Sequence, residues 1–473
     1  MSTQKIIRSL STIHSPTNPH KQNISNIAQV LSHSSPQHLM NSPSILSTLS
    51  SHSFQLIFSN PTLTLRSCLD FFNFVRQNPV NKPDLVAHLT LIRRLYNESQ
   101  FTDIQFVLNC IANDVNLRTP ICNIVSLVDN GTDDPIFVEK LCEMLFSVYA
   151  DNRMFEEAIG VFDYMEKSGF KIHQRCCKVL LLALKRCGKM DMCYSFFRRM
   201  VGADVEITVH LMTIVIDGLC KRGEVERAKD LMEEMVTKGI EPNVVTYNTL
   251  INGFCIKGMI DEALKVKTVM EQKRFEPDVV TYSTIAGGLC KLKRKKANLE
   301  EATQLFELME TRGVRPDIAT YNALIDGHGK KGNLKEAKRL FEEMEKRGVT
   351  PDTITYNTLI DGYSKIGKMT ESHNLRGVME VMGHIPDVYT YSSLIHGELS
   401  SGESAEALKL LSEMKQRGLI PNFVIYRAII SGLSKQGKAD EALRLYNEML
   451  EAGITPDYRL QSAMAGSLAT VKS

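Results

Sequence analysis

The sequence predicts an all-α fold, a superhelical α-solenoid of stacked helix-turn-helix repeats, on three observations. The first is repetition: the stretch Val244 to Asp278, VVTYNTLINGFCIKGMIDEALKVKTVMEQKRFEPD, has close copies throughout Val209 to Asp457. The second is a helical period within each copy. Tyr247, Leu250, Ile251 and Phe254 fall at i, i+3, i+4 and i+7, one face of an amphipathic helix that Gly258 ends. In the copy from Ile318 to Asp352, a second helix puts Leu334, Ala337, Leu340, Phe341 and Met344 on one face. Glu336 sits in its first turn, where it complements the helix dipole, and Gly348 and Pro351 stop it. The third is chemistry held at fixed slots. Met235, Met270, Met309, Met344, Met379, Met414 and Met449 share one slot of the second helix, and a proline recurs next to last from Pro242 to Pro456. Tyr247, Tyr282, Tyr321, Tyr356, Tyr391 and Tyr426 share a place early in the first helix. Gly253, Gly288, Gly327, Gly362, Gly397 and Gly432 let paired helices approach closely. One such hairpin cannot bury its apolar face alone, so the units must stack.

Composition sets bounds. A chain of 473 residues would ordinarily suggest about three globular domains, but a repeat array counts as one extended domain. A net charge of +2 and a pI near 7.9 decide nothing about nucleic acid, because a basic face can hide inside a balanced total. The 11 cysteines form no CxxC pair, and Cys220, Cys255 and Cys290 recur in one helix slot, so they read as small buried residues. No metal, disulfide or cofactor is expected. No apolar run approaches the ~20 residues of a membrane helix, so a soluble chain with no membrane partner is expected.

In chain order, residues 1–69 contain no Asp or Glu, are dense in serine, and carry only Lys5, Arg8, Lys21 and Arg66 as formal charges. This is the composition of a transit peptide and disordered N-terminal region. Lys5 to Ile13 can form a short basic amphipathic helix, which favours a mitochondrial over a chloroplast destination. Residues 70–138 read as degenerate N-terminal helical repeats: Asp70 to Arg76 as the second helix of an incomplete first unit, Val86 to Pro120 as a unit in frame, and Ile121 to Val138 as an insertion. Residues 139–208 hold two degenerate units, Glu139 to His173 and Gln174 to Thr208, which keep Met165 and Met200. Seven regular units fill 209–457. One of them, Val279 to Asp317, carries four extra residues within KLKRKKAN, close to one helical turn, which an extended first helix could absorb. The cluster Lys291, Lys293, Arg294, Lys295 and Lys296 could meet phosphate or form a solvated turn. Residues 458–473 leave room for a capping helix and no catalytic domain.

VTYNTLI, the Glu262-Ala263 step, the recurrent Met and a closing GxxPD recur together, and in this the chain resembles the pentatricopeptide repeat family in its pure, plant organellar form. The resemblance covers Glu139 to Asp457 clearly and Asp70 to Pro120 weakly. The tetratricopeptide pattern of protein-binding solenoids usually carries a Trp, and this chain has Trp 0. The resemblance implies a right-handed superhelix whose ligand is single-stranded RNA, read one base per repeat by a few side chains. The readers it implies are slot 5 of each first helix and the closing slot 35. They pair Thr213 with Asn243, Asn248 with Asp278, Ser283 with Asp317, Asn322 with Asp352, Asn357 with Asp387 and Ser392 with Asn422. By the family's code these prefer A, U, G, U, U and A, a core near 5′-AUGUUA-3′ on RNA running parallel to the array. An exposed Asn, Ser or Thr in an otherwise apolar helix costs propensity for no core benefit, but it supplies a donor or acceptor to a base edge. Slot 2 would sandwich the base with His210, Val245, Val280, Ala319, Ile354, Tyr389 and Val424. The pairs Arg427 with Asp457, Lys178 with Thr208 and Glu143 with His173 depart from the code.

Two tempting motifs fail on context. Gly327 to Gly332 matches GxGxxG, but it follows a helical stripe rather than a strand. His396 and Glu398 match the HxE of zinc deaminases, but no cysteine follows Cys290 to hold zinc. The expectation is a non-enzymatic, sequence-specific RNA-binding protein. It would act on a mitochondrial transcript in splicing, processing, stabilisation or translation, with splicing or translation factors as further partners. A protein-interaction scaffold is the alternative.

Overall fold

A computed structural model describes residues 27–29, 31, 49–77, 82–128, 134–203, 205–291 and 296–462. Among these residues every regular element is a helix, and no helix is long and apolar enough to cross a membrane. The chain forms two compact units, 1–218 and 219–473, which divide within helix Val209–Arg222.

The second unit is the predicted stack of helix-turn-helix repeats. Helix Val244–Lys257 pairs with Ile260–Gln272, and the pattern repeats through Ile318–Lys330 with Leu334–Lys346, Thr353–Lys365 with Met369–Val381, Val388–Ser400 with Ser404–Gln416 and Phe423–Lys435 with Ala439–Glu451. Each first helix packs on its own second helix and on the first helix of the next repeat. The repeated slots explain why. Tyr282, Tyr321, Tyr356 and Tyr391 are fully buried, as are the recurrent methionines from Met235 to Met449. The turns close on glycines in the left-handed region, such as Gly258 at φ 75° and Gly348 at φ 76°.

The slot-10 glycines and the recurrent cysteines prove to be two halves of one contact. A Cβ on Gly253 would stand 2.5 Å from Cys220 Sγ and 2.8 Å from its Cβ; on Gly288 it would stand 2.9 Å from Cys255 Cβ. At Gly253, Gly288, Gly327 and Gly397 the first helices of successive repeats therefore meet at a glycine laid over a small side chain, Cys220, Cys255, Cys290 or Ser364.

In the stretched repeat the first helix is described over Val279–Lys291 and the second over Lys296–Thr311, 16 residues against 13 in the second helix of the next repeat; residues 292–295, where an extended first helix was expected, lie outside the described residues. Leu299 aligns with Leu334, which opens the second helix of the next repeat, so the added residues lie before it. Elsewhere a glycine at positive φ, such as Gly332 or Gly367, stops the chain just before this point, and KLKRKKAN has none.

In the first unit the array begins earlier than composition suggests. Residues 51–69 do not belong to a disordered leader: Ser51–Phe58 and Leu65–Arg76 are helices. Ser50 caps the first with a capping box, and Phe54 and Phe58 pack on Phe71 at centroid separations of 6.4 and 6.2 Å. The Arg94 guanidinium donates to the carbonyls of Phe58 (2.9 Å) and Asn60 (2.8 Å), which ties the connecting loop to the next repeat. The first hairpin is thus complete, and a segment poor in charge here fills a core. The proposed Lys5 to Ile13 helix lies outside the described residues.

The expected insertion contains helix Ile121–Val128, which buries Ile124, Val125 and Val128. The following helix runs Pro135–Asp151, so the boundary drawn at Glu139 falls inside it. Asp134 caps it by accepting from Phe137 N at 3.1 Å, with Pro135 as its first residue.

Candidate nucleic-acid interface

The slot-35 residues are helix N-caps. Asn243, Asp317, Asp352, Asp387 and Asn422 have extended backbone and accept from the N–H three residues on. Asp278 accepts from Thr281 N at 2.9 Å in the same way. A base-reading residue at this slot would therefore be held by local helix chemistry before any ligand arrives.

Three of the six expected pairs are joined directly. Nδ2 donates to a carboxylate Oδ1 from Asn248 to Asp278 at 2.9 Å, from Asn322 to Asp352 at 3.2 Å and from Asn357 to Asp387 at 3.1 Å. The carboxylate accepts only, so the amide nitrogen must face it. Burial raises the pKa of the Asp278 and Asp352 carboxyls, but bonds from the backbone and side chain of Thr281 and Thr355 and from the two asparagines outweigh it, and both lie below the ordinary value.

A third residue, missed in the sequence, completes each cluster. The slot-3 threonine of the next repeat donates Oγ1–H to the amide oxygen: Thr281 to Asn248, Thr355 to Asn322 and Thr390 to Asn357, each at 2.6 Å. The signal was available in the recurrence of Thr246, Thr281, Thr320, Thr355 and Thr390 beside the slot-4 tyrosines. The asparagines are also less open than expected. Asn248 and Asn357 are 9% and 6% exposed, because the seam between repeats closes over them. Each amide keeps one N–H and one oxygen lone pair unused by its two partners.

The other expected pairs are not joined in this way. The Ser283 hydroxyl turns back to Val280 O at 3.3 Å while Asp317 takes the Thr320 hydroxyl at 2.7 Å. Ser392 is half-buried, and Asn422 accepts from Ile425 N at 3.1 Å. Thr213 and Asn243 fall in different compact units; Thr213 donates to Val209 O at 2.7 Å.

Slot 2 presents a row of uncovered apolar side chains: Val245 is 61% exposed, Ile354 63% and Tyr389 54%, with Val280 and Val424 also exposed. His210 and Ala319 are exposed as well. Lysines lie two to three turns further along the same first helices, with Lys330 on Asp326 at 2.6 Å and Lys365 on Asp361. In the basic cluster, Lys291 ends its helix exposed and Lys296 opens the next, while Lys293, Arg294 and Lys295 lie outside the described residues.

Two of the three pairs that depart from the code set an acidic side chain beside a basic one. His173 Nε2 lies 3.1 Å from Glu143 Oε1, and Lys140 takes the other oxygen at 2.8 Å. Arg427 stands 3.7 Å from Asp457, beyond hydrogen-bond reach, over the Phe423 ring. The HxE residues do not act together: Glu398 is buried and bonded to His373, and His396 is exposed.

Comparisons with known proteins agree with this frame. A pentatricopeptide repeat-containing protein of Arabidopsis thaliana is 38% identical over 159 residues, covering 33% of this chain and 26% of that protein. A putative pentatricopeptide repeat-containing protein of the same plant is 32% identical over 133 residues, covering 28% of this chain and 16% of its own length. The chain therefore aligns with about a quarter or less of these relatives. Among solved structures, the maize pentatricopeptide repeat protein PPR10 in complex with an 18-nt psaJ RNA element aligns with 99% of this chain and 84% of that chain, at TM-score 0.44 and 17% identity. Yeast Rmd9p in complex with a 16-nt target RNA aligns with 95% and 84%, at TM-score 0.32 and 13% identity. Models of the PPR repeat family, the pentatricopeptide repeat domain and the PPR repeat match residues 143–170, 175–205 and, in overlapping pieces, 207–459. With well over half of its residues so matched, and the repeat frame of those models built into its helices, the chain belongs to the pentatricopeptide repeat family.

Proposed function

We propose that the protein binds single-stranded RNA in a sequence-specific way, with a core near AUGUUA, and acts by occupying that RNA rather than by chemistry of its own. The observation that carries this reading is the recurring Asn-Asp-Thr cluster at Asn248, Asn322 and Asn357, flanked by the exposed slot-2 row. Each cluster spends part of an amide's hydrogen-bonding capacity on holding the amide still and leaves one donor and one acceptor over. A base edge is a ligand of that description, and bare apolar side chains at the next slot suit base faces. Membership of the pentatricopeptide repeat family supports the ligand class, since the maize member PPR10 is described in complex with an RNA element. The Arg427 and Glu143 units fall outside the code, so the specific core is six bases or fewer. The destination and process we propose are a mitochondrial transcript and its splicing, processing, stabilisation or translation, supported by the acid-free N-terminal composition.

The test is selection from a randomised RNA pool by the full chain at fixed near-physiological salt, since phosphate contacts make affinities salt-dependent. Enrichment of AUGUUA is expected, with Asn322→Ala and Asn357→Ala losing discrimination at two adjacent uridines. Recovery of no motif, with unchanged function in those variants, would favour a protein scaffold.

A further inference from the structure

We infer that Thr281, Thr355 and Thr390 are specificity-determining positioning residues, which hold the carboxamides of Asn248, Asn322 and Asn357 so that each accepts uracil and rejects cytosine. The inference rests on the RNA-reading function proposed above and deepens it: the reader of one base includes a residue from the next repeat.

The geometry is the same three times. The Asp278 backbone N–H donates to Thr281 Oγ1 at 3.2 Å, Asp352 N to Thr355 Oγ1 at 3.1 Å and Asp387 N to Thr390 Oγ1 at 3.1 Å. An accepting hydroxyl still has its own proton, and the shortest acceptor for it is the asparagine Oδ1 at 2.6 Å, ahead of the aspartate at 3.0, 2.9 and 3.1 Å. The threonine is thereby oriented as a donor. With the carboxylate accepting from Nδ2, the amide is held at both ends. Turning it over would place oxygen against carboxylate and N–H against a hydroxyl proton, so both bonds would be lost.

This matters because uracil and cytosine differ by an exchange of donor and acceptor. Uracil offers N3–H beside an O4 acceptor; cytosine offers an N3 acceptor beside N4–H. An amide free to turn over serves either pyrimidine, and an amide locked in one sense serves one. The hydroxyls cannot serve the ligand themselves, since Thr281, Thr355 and Thr390 are fully buried. The chain contains its own controls. Thr320 caps in the same way but follows Ser283, and the repeat after Ser392 carries Ile425 at this slot. The lock is present where the preceding reader is an asparagine.

The experiment measures binding of the full chain to the enriched RNA and to versions with cytidine replacing each uridine. Thr355→Val should lower the uridine-to-cytidine ratio at the position read by Asn322 about tenfold, the loss of one hydrogen bond. Thr355→Ser should restore the ratio. Thr320→Val, which removes a comparable cap bond, should leave every pyrimidine ratio unchanged. A gain-of-function arm uses the site without the threonine: Ser392→Asn with Asn422→Asp, where the carboxylate alone orients the amide, should favour uridine by a smaller ratio than Asn322 gives, and adding Ile425→Thr should widen that ratio. If Thr355→Val weakens both RNAs equally, or Ile425→Thr leaves the ratio flat, the threonines only cap helices and the inference is overturned. If the unmodified chain shows no base preference at all, it is the RNA-reading function that fails.

Discussion

Glu398 Oε1 accepts from or pairs with His373 Nε2 at 2.7 Å, across the seam between two repeats, in a slot that holds Phe254, Leu289, Tyr363 and Leu433 elsewhere. Glu398 is 5% exposed, so the bond answers a polar group that the apolar stripe would otherwise strand. His373→Ala should therefore cost about 1–3 kcal/mol by leaving the carboxylate without its partner. Glu398→Leu should cost nothing or raise the unfolding midpoint, because a packed apolar side chain at this slot removes the need to bury a carboxylate and leaves the partly exposed His373 to water. Urea unfolding of both variants checks the signs, and a strongly destabilised Glu398→Leu would mean the pair is a needed contact rather than a tolerated one.

The glycine seam makes a contrast of sign. Ala at Gly253 or Gly288 would drive a methyl to within 2.8 and 2.9 Å of a cysteine Cβ, an atom fixed to backbone. Overpacking of this kind costs about 1–3 kcal/mol and exceeds the ~1 kcal/mol that Ala gains over Gly in a helix. At Gly362 the near atom is Leu334 Cδ2 at 2.8 Å, the end of a side chain that can rotate away. Gly362→Ala should be neutral or stabilising while Gly253→Ala and Gly288→Ala destabilise, and equal midpoints for all three would remove the seam as the reason for the glycines.

These contacts also show what the sequence can and cannot reveal. Tyr356, Met344 and Gly288 were legible because a contact repeated at one period leaves the same residue type at the same slot. The role of Thr355 was not, because it lies in a relation across 33 residues to Asn322, and each residue alone has an ordinary local explanation, a cap and a polar surface position. The helix at Ser51–Phe58 was hidden because lack of charge marks a leader and a core alike; what settles it is the packing of Phe54 on Phe71. The longer second helix at Lys296–Thr311 follows from a missing glycine, and an absent breaker is harder to notice than a present one.

The cysteines at this seam should be chemically quiet. Burial pushes the Cys255 and Cys290 thiols up to about 12, so neither carries appreciable thiolate near neutrality. Cys122 is exposed. Brief alkylation of the native chain at about pH 8 should label Cys122 and spare Cys255 and Cys290 until denaturant is added. Rapid native labelling at Cys255 would show that the seam between those repeats opens readily.

Acid should loosen the array through the same aspartates that hold the asparagines. The Asp278 and Asp352 carboxyls lie below their ordinary value in the folded chain, because the bonds they accept outweigh burial. A carboxyl depressed by folding stabilises the fold at every pH above its unfolded value, about 3.9, and that contribution is lost as pH falls through the lower folded value. Asp352→Asn keeps an oxygen that can accept from Thr355 N but removes the charge, so it should be less stable than the unmodified chain at neutral pH. The difference should narrow below about pH 4, where protonation of the native carboxyl removes the same advantage. Unfolding midpoints across that range decide the matter: a gap that stays constant into strong acid would mean that shape, and not the accepted hydrogen bonds, makes Asp352 stabilising. The same substitution alters the partner of Asn322, since a carboxamide can donate as well as accept. Asp352→Asn should therefore relax the orientation of the reading amide under conditions where the fold itself is intact.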